Sequence, residues 1–281
     1  MRIDAHHHIW NLEVRDQEWI KGDLMAPLRR NFSMTDLRAA VAGTGIDRTV
    51  LVQTVTNYDE TPELLEIAEL DPMVAGVVGW LKIDAPDALD HLDQYLELPG
   101  ADFLVGIRDI AHDEPDANYL SKPNVINNVK ELGTYGLVYD LLTKTPQLAA
   151  GIALVKAAPD TQFVMDHISK PYVTKGEMEP WATMMRELAS LPNVVCKISG
   201  MITEGNWNSW KSADFEPYTD LLLEIFGPQR LMFGSDWPVA TLAGTYKDVV
   251  TLAESVTRSL SASEADAFWS TTAIRAYRLP I

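Results

Sequence analysis

The chain has 281 residues, of which 47% are apolar and 22% charged, enough apolar material for one sizeable core and too much for a disordered chain. Its formal net charge of −17 argues against nucleic acid or an anionic membrane as a partner, and leaves open a small substrate held by a local pocket. The lone cysteine, Cys196, excludes an intrachain disulfide, no leader is visible in MRIDAHHHIW, and no apolar run approaches the roughly 20 residues of a membrane span, so a cytoplasmic location is expected.

Short apolar, β-branched runs alternate with helical patterns along the whole chain. Strands are predicted at Arg2–Ala5, Arg48–Gln53, Val74–Leu81, Phe103–Ile107, Gly136–Tyr139, Gln162–Asp166, Asn193–Ile198 and Arg230–Gly234. Amphipathic helices are predicted between them, with Thr35, Thr61 and Asp84 read as the caps of the first three. Later helices are carried by NVINNVKEL, PQLAAGIALVKAA, EPWATMMRELAS, FEPYTDLLLEIF and YKDVVTLAESVTRSL, and ASEADAFWSTTAIRAY closes the chain. This alternation predicts a parallel α/β fold. The first strand runs into three histidines and not into a glycine-rich dinucleotide turn, so the predicted fold class is a (β/α)8 barrel of the TIM type, a single domain over residues 1–281. The stretch from Asn11 to Ser33 is long for a connection and is expected to fold over the barrel mouth.

In such a barrel, functional groups project from the carboxyl ends of the strands. That rule collects His6, His8, Gln53, Lys82, Arg108, Tyr139, Asp140, His167, Lys197 and Asp236. His6 and His8 stand two apart on a strand and so share a face, while His7 points the other way. The competing reading, a tag remnant, fits poorly with three histidines set between Ile3 and Ile9. His167 lies where the sixth strand gives way to a loop; alone it reads equally well as a structural histidine. Asp236 follows the eighth strand in GSDWP, where a carboxylate can hold a metal or take a proton from water, or else merely cap a turn. Arg108 and Lys82 are cations able to hold a substrate carboxylate or carbonyl, or to pair internally with Asp109, Asp84 or Asp140. Lys197 is expected to face inward beneath the site, and Cys196 to be a small buried hydrophobe.

Taken together, DAHHHIW, VGIRD, VMDHISKP, VVCKISG and LMFGSDWP resemble, in order and over residues 4 to 278, the amidohydrolase-2 branch of the amidohydrolase superfamily. The likeness is greatest to its sugar-lactonase and dicarboxylate-lactonase group. The resemblance implies a distorted (β/α)8 barrel that opens a cyclic ester, with Asp236 deprotonating the attacking water. His6, His8 and His167 would orient that water and the carbonyl, directly or through one divalent metal such as zinc held with Asp236. It also implies substrate-binding roles for Arg108 and Tyr139, to which position at strand ends and in a mouth loop adds Lys82, Gln53 and Trp237. The fourth strand ends in Arg108 and the fifth in Tyr139 and Asp140, where two-metal members of the superfamily carry metal ligands, so one ion at most is expected.

Rival readings are a zinc-dependent decarboxylase of the same fold and a sugar-acid-binding barrel without turnover. Within the lactonase reading the expected partner is a small, neutral aldonolactone. Only Arg108 and Lys82 stand ready for substrate carboxylates, while Trp10, Trp207, Trp210 and Trp237 are expected near the mouth with Asn206, Asn208 and Gln53 beside them. Oligomeric state is not legible in the sequence.

Overall fold

The computed structural model describes residues 1–281. Eight strands form one parallel sheet in sequential order: β1 Arg2–His7, β2 Ile46–Val52, β3 Val74–Gly79, β4 Leu104–Asp109, β5 Val138–Leu141, β6 Phe163–Met165, β7 Val194–Ile198 and β8 Leu231–Phe233. The fold is a (β/α)8 barrel, as expected. Its outer layer comprises α1 Met34–Val41, α2 Glu60–Leu70, α3 Ala88–Leu96, α4 Pro123–Thr134, α5 Leu148–Ala157 and α6 Trp181–Ala189, then a short α7 at Met201–Glu204, followed by α8 Ser212–Phe226 and α9 Tyr246–Thr257. The chain ends in α10 Ala262–Asp266 and α11 Thr272–Tyr277. No helix is long and apolar enough to cross a membrane.

The helix starts differ from expectation. Ser33, not Thr35, caps α1 in a reciprocal box with Asp36. The caps of α2 and α3 fall at Asp59 and Asp87, not Thr61 and Asp84. Thr61 instead lies inside α2, where its hydroxyl accepts from the Trp80 amide at 2.9 Å.

Alternation divides the strand residues between two cores. Tyr139, Leu141, Phe163, Met165, Cys196, Ile198, Leu231 and Phe233 pack outward beneath the helices. Val50, Val52, Val78, Val138, Val164, Val195 and Met232 face inward and meet Ala273, Ala276, Tyr277 and Leu279 of the closing helix, which floors the barrel. Between β8 and β1 the ring shuts through the loop after β8: the Asp236 amide donates to the His6 carbonyl at 2.8 Å, and the His8 amide to the Trp237 carbonyl at 2.7 Å. The long Asn11–Ser33 connection returns to this seam. Trp10 and Phe32 exchange backbone hydrogen bonds of 3.0 and 2.9 Å, and Phe32 meets Trp237 edge-on with ring centroids 5.4 Å apart.

Candidate active site

A register shift between Asp4 and His7 bends the end of β1, and His6 and His8 both turn inward there. Their Nε2 atoms lie 3.1 Å apart. His7 turns to Thr49, with Nε2 2.9 Å from its hydroxyl. Asp4, wholly buried, binds the loop opposite: it accepts from the Ser235 amide at 2.7 Å, the Ser235 hydroxyl at 2.6 Å and the Tyr246 hydroxyl at 2.8 Å. That grip presents Asp236, whose φ is 56°, with Oδ1 3.3 Å from His8 Nε2, 3.8 Å from His167 Nε2 and 3.9 Å from His6 Nε2. Close approach requires glycine on either side. A Cβ on Gly234 would stand 2.9 Å from His6 Cβ, and one on Gly200 would stand 2.8 Å from His167 Nδ1.

His167 enters on strained backbone. Residues 167 to 170 all lie in the left-handed region, with φ of 49°, 48°, 57° and 46°, conformations that cost about 1–3 kcal/mol each for residues with a Cβ. Two contacts pin the turn: the Trp181 indole donates to the Ile168 carbonyl at 2.7 Å, and the Ser169 and Thr143 hydroxyls lie 2.7 Å apart. Ser199 holds His167 Nδ1 at 2.8 Å and leaves Nε2 facing Asp236.

Beneath these groups lies a layer of buried charge. Lys197 Nζ donates to Asp140 Oδ2 at 2.6 Å and stands 3.0 Å from Asp166 Oδ1 and 3.1 Å from His6 Nδ1. Arg108 Nη1 donates to Asp166 Oδ2 at 3.1 Å and lies 3.2 Å from His6 Nε2; its Nη2 donates to the Gln53 carbonyl at 2.5 Å. His6, Asp140, Asp166 and Lys197 have no solvent exposure.

Electrostatics follow from this packing. Burial drives His6 far below the ordinary imidazole range and His167 down to about 3, despite the nearby carboxylates, so both rings are neutral at pH 7. Burial works to raise the Asp236 carboxyl; the histidines around it, His167 foremost, outweigh that and hold it well below the usual carboxylate range. Asp236 is therefore ionised and able to accept a proton. Asp140 is pushed up to about 6 by burial, against the pull of Lys197.

Imidazole nitrogens and a carboxylate are a donor set that suits zinc. The candidate ligand atoms of His6, His167 and Asp236 all lie within 4.8 Å of one another. His8 Nδ1 is 2.8 Å from the Val52 carbonyl, which can only accept, so its proton sits there and Nε2 presents a lone pair. That lone pair faces Asp236 Oδ1, a second acceptor, and a proton or a cation between them relieves the repulsion. One divalent ion thus fits. A second cluster, His6 with Asp140 and Asp166, already surrounds the Lys197 ammonium, and the Arg108 guanidinium beside His6 opposes a second metal.

Several expectations fail. Tyr139 points outward into the helix layer, edge-on to Phe163, and cannot line the site; alternation gives the inward position to Asp140 instead. Lys82 lies three residues beyond the end of β3, exposed and without hydrogen bond or ion pair. The indoles of Trp10, Trp207 and Trp210 donate to the carbonyls of Arg30, Thr203 and Ala243, so they pack loops, while Asn206 and Asn208 are exposed. Arg108 does pair internally, but with Asp166 and not with Asp109, Asp84 or Asp140. Gln53 is buried against Arg108, its Nε2 donating to the Arg108 carbonyl at 3.3 Å and its Oε1 without a partner. Trp237 is buried at the seam. Asp4, Asp166, Ser199 and Tyr277 were not singled out by the sequence.

Comparison with known proteins agrees with this architecture. The amidohydrolase family pattern matches residues 3–279. The chain is 35% identical to L-fucono-1,5-lactonase of Burkholderia multivorans, covering 100% of this chain and 97% of that one. It is also 35% identical to L-fucono-1,5-lactonase of Burkholderia ambifaria, over 88% of this chain and 83% of the other. A crystal structure of an amidohydrolase from Burkholderia multivorans with bound zinc superposes with a TM-score of 0.92 at 35% identity, each chain covered in full. The chain belongs to the amidohydrolase family and is a hydrolase built on that family's barrel.

Proposed function

We propose that this hydrolase opens a neutral sugar lactone, an aldonolactone, by direct attack of water. The observation that carries the reading is the ionised Asp236 carboxylate aimed at three histidine Nε2 atoms within 3.9 Å, at the seam of the barrel mouth. Asp236 takes a proton as the water oxygen attacks the lactone carbonyl carbon. The developing oxyanion accepts hydrogen bonds from N–H groups at His6 and Arg108. The ring C–O bond then breaks, Asp236 returns the proton to the departing alkoxide, and a hydroxy acid leaves. Were a divalent ion held by His6, His8, His167 and Asp236, His6 Nε2 would be a ligand and not a donor, and the ion would polarise the carbonyl in its place.

The ring of cations around the mouth supports a neutral substrate. Arg108 is paired with Asp166, Lys197 with Asp140 and Asp166, Lys144 with Asp113 and Lys170 with Glu204. None of these four is left over for a substrate carboxylate, the unpaired Lys21 and Lys82 standing out in exposed loops, whereas the free Oε1 of Gln53 can accept from a sugar hydroxyl. The relatives named as fuconolactonases support the same class, and the single buried, unpaired cysteine supports a reducing, cytoplasmic setting. A panel of aldonolactones and dicarboxylate lactones, followed with a pH indicator, tests the proposal. We expect kcat/KM at least tenfold higher for a neutral aldonolactone. A tenfold preference for the charged lactone, or decarboxylation without lactone opening, would overturn it.

A further inference from the structure

The closing helix does more than floor the barrel. Tyr277, in the last turn of α11 and 2% exposed, lifts its hydroxyl out of the apolar floor to Asp140, with 2.8 Å to Oδ1 and 2.7 Å to Oδ2. From Asp140 the contacts continue upward without a gap: 2.6 Å to Lys197 Nζ, then 3.1 Å to His6 Nδ1. An ammonium has three protons and no lone pair. Around this one stand two hydrogen-bond partners, Asp140 Oδ2 at 2.6 Å and His6 Nδ1 at 3.1 Å, and one ion-paired oxygen, Asp166 Oδ1, at 3.0 Å. The other ring nitrogen, Nε2, lies 3.2 Å from Arg108 Nη1, and Asp166 Oδ1 stands 3.3 Å from Nδ1, so the ring is held between two cations and a carboxylate. The Lys197 ammonium fixes one side of that ring, and Asp140 fixes where the ammonium sits. Tyr277 supplies the one protein hydroxyl bonded to Asp140, and it reaches both carboxylate oxygens.

We propose that Tyr277 is a positioning residue: through Asp140 and Lys197 it sets the placement of the His6 ring, making the last helix part of the catalytic apparatus. The turnover half of this rests on the lactonase reading; the placement half does not. Tyr277→Phe removes one oxygen atom and leaves the ring in the floor. With it we expect kcat to fall about tenfold, KM to stay within twofold, and the ¹⁵N shifts of the His6 ring to move, by long-range ¹H–¹⁵N spectra of the purified protein. Leu279→Ala, in the same floor but outside the charged chain, is the comparison. It should lower Tm at least as much and leave kcat and the His6 shifts unchanged. The proposal is overturned if Tyr277→Phe leaves the His6 shifts where they are, or if Leu279→Ala lowers kcat as far as Tyr277→Phe does. Should neither protein open any lactone, the lactonase reading fails, and the His6 shifts still decide the positioning role.

Discussion

The two ends of the barrel interior are built on opposite principles. Toward the amino ends of the strands, Val50, Val138, Val164, Val195 and Met232 close on the small and apolar side chains of α11, and burial of apolar surface is the whole of the chemistry. Two residues beyond Val138, Val164 and Val195 stand Asp140, Asp166 and Lys197, with Arg108 of β4 and His6 of β1 beside them, all buried. Burying ionised groups costs several kcal/mol each, which mutual attraction repays only when every partner is present. The floor gains stability from composition alone and tolerates substitution of one apolar residue by another. The charged layer is stable only as a set, and its justification lies in what it presents to the mouth. The left-handed turn at His167 and the positive φ of Asp236 point the same way: five of the six non-glycine residues with positive φ lie at the mouth, and the sixth, Arg278, ends the closing helix.

The largest expected effect comes from breaking the charged set. Lys197→Met strips the shared cation from Asp140 and Asp166, and we expect a loss of about 3–5 kcal/mol in urea unfolding. A loss below about 1 kcal/mol would mean the carboxylates simply take up protons and the layer is not a set. In the floor, Val50→Ala removes two methyl groups from a fully buried position. It should cost about 2 kcal/mol and leave kcat unchanged, measured on the same samples.

A pH series sharpens the contrast further. Burial depresses His6 far below the unfolded value and His7 and His167 to about 3. The unfolded chain therefore binds more protons than the folded one below pH 6.5. The histidine contribution is complete above pH 6.5 and is lost as pH falls toward 3, at about 1.4 kcal/mol per pH unit for each group. Asp140, raised to about 6, works in the opposite sense: its contribution is present below the unfolded value near 4 and is lost as pH rises through about 6. His112, lowered by burial to about 4, adds to the histidines, and the raised carboxyls Asp4, Glu60, Asp109 and Glu204 add to Asp140; the histidine shifts span the whole window, so urea midpoints should fall on acidification from pH 6.5 to 4. His7→Gln, which leaves the site intact, should make that fall shallower. The smallest effect expected is that of Lys82→Ala: exposed and without partners, it should change neither stability nor kcat/KM by a measurable amount.

How much of this was legible in the sequence follows the same division. The barrel could be read from alternation, and the convergence of His6, His8, His167 and Asp236 from their places at strand ends, because both depend on local pattern and strand order. Tyr139 was misplaced because β5 runs from Val138 to Leu141, and the pleat sends Tyr139 and Asp140 to opposite faces, so only Asp140 can enter the site. Lys82 was misplaced because β3 stops at Gly79. Asp166 was hidden as the last residue of a predicted strand. Asp4 and Tyr277 were hidden because their partners lie 231 and 137 residues away, at Ser235 and Asp140, and no local signal marks such a pairing. The DHIS turn gave no sign of its left-handed backbone, since Ile168 is among the residues least suited to it.

On the proposed lactone chemistry, the charged layer and the strained mouth deliver one ionised carboxylate to a water molecule beside the substrate carbonyl. Asp236→Asn tests it most directly, with kcat on the best aldonolactone and urea stability measured on the same preparation. The expected rate is at least about 100-fold lower, with stability changed by less than the Lys197 substitution changes it. Activity within a few-fold of the parent would show Asp236 to be structural and contradict the mechanism.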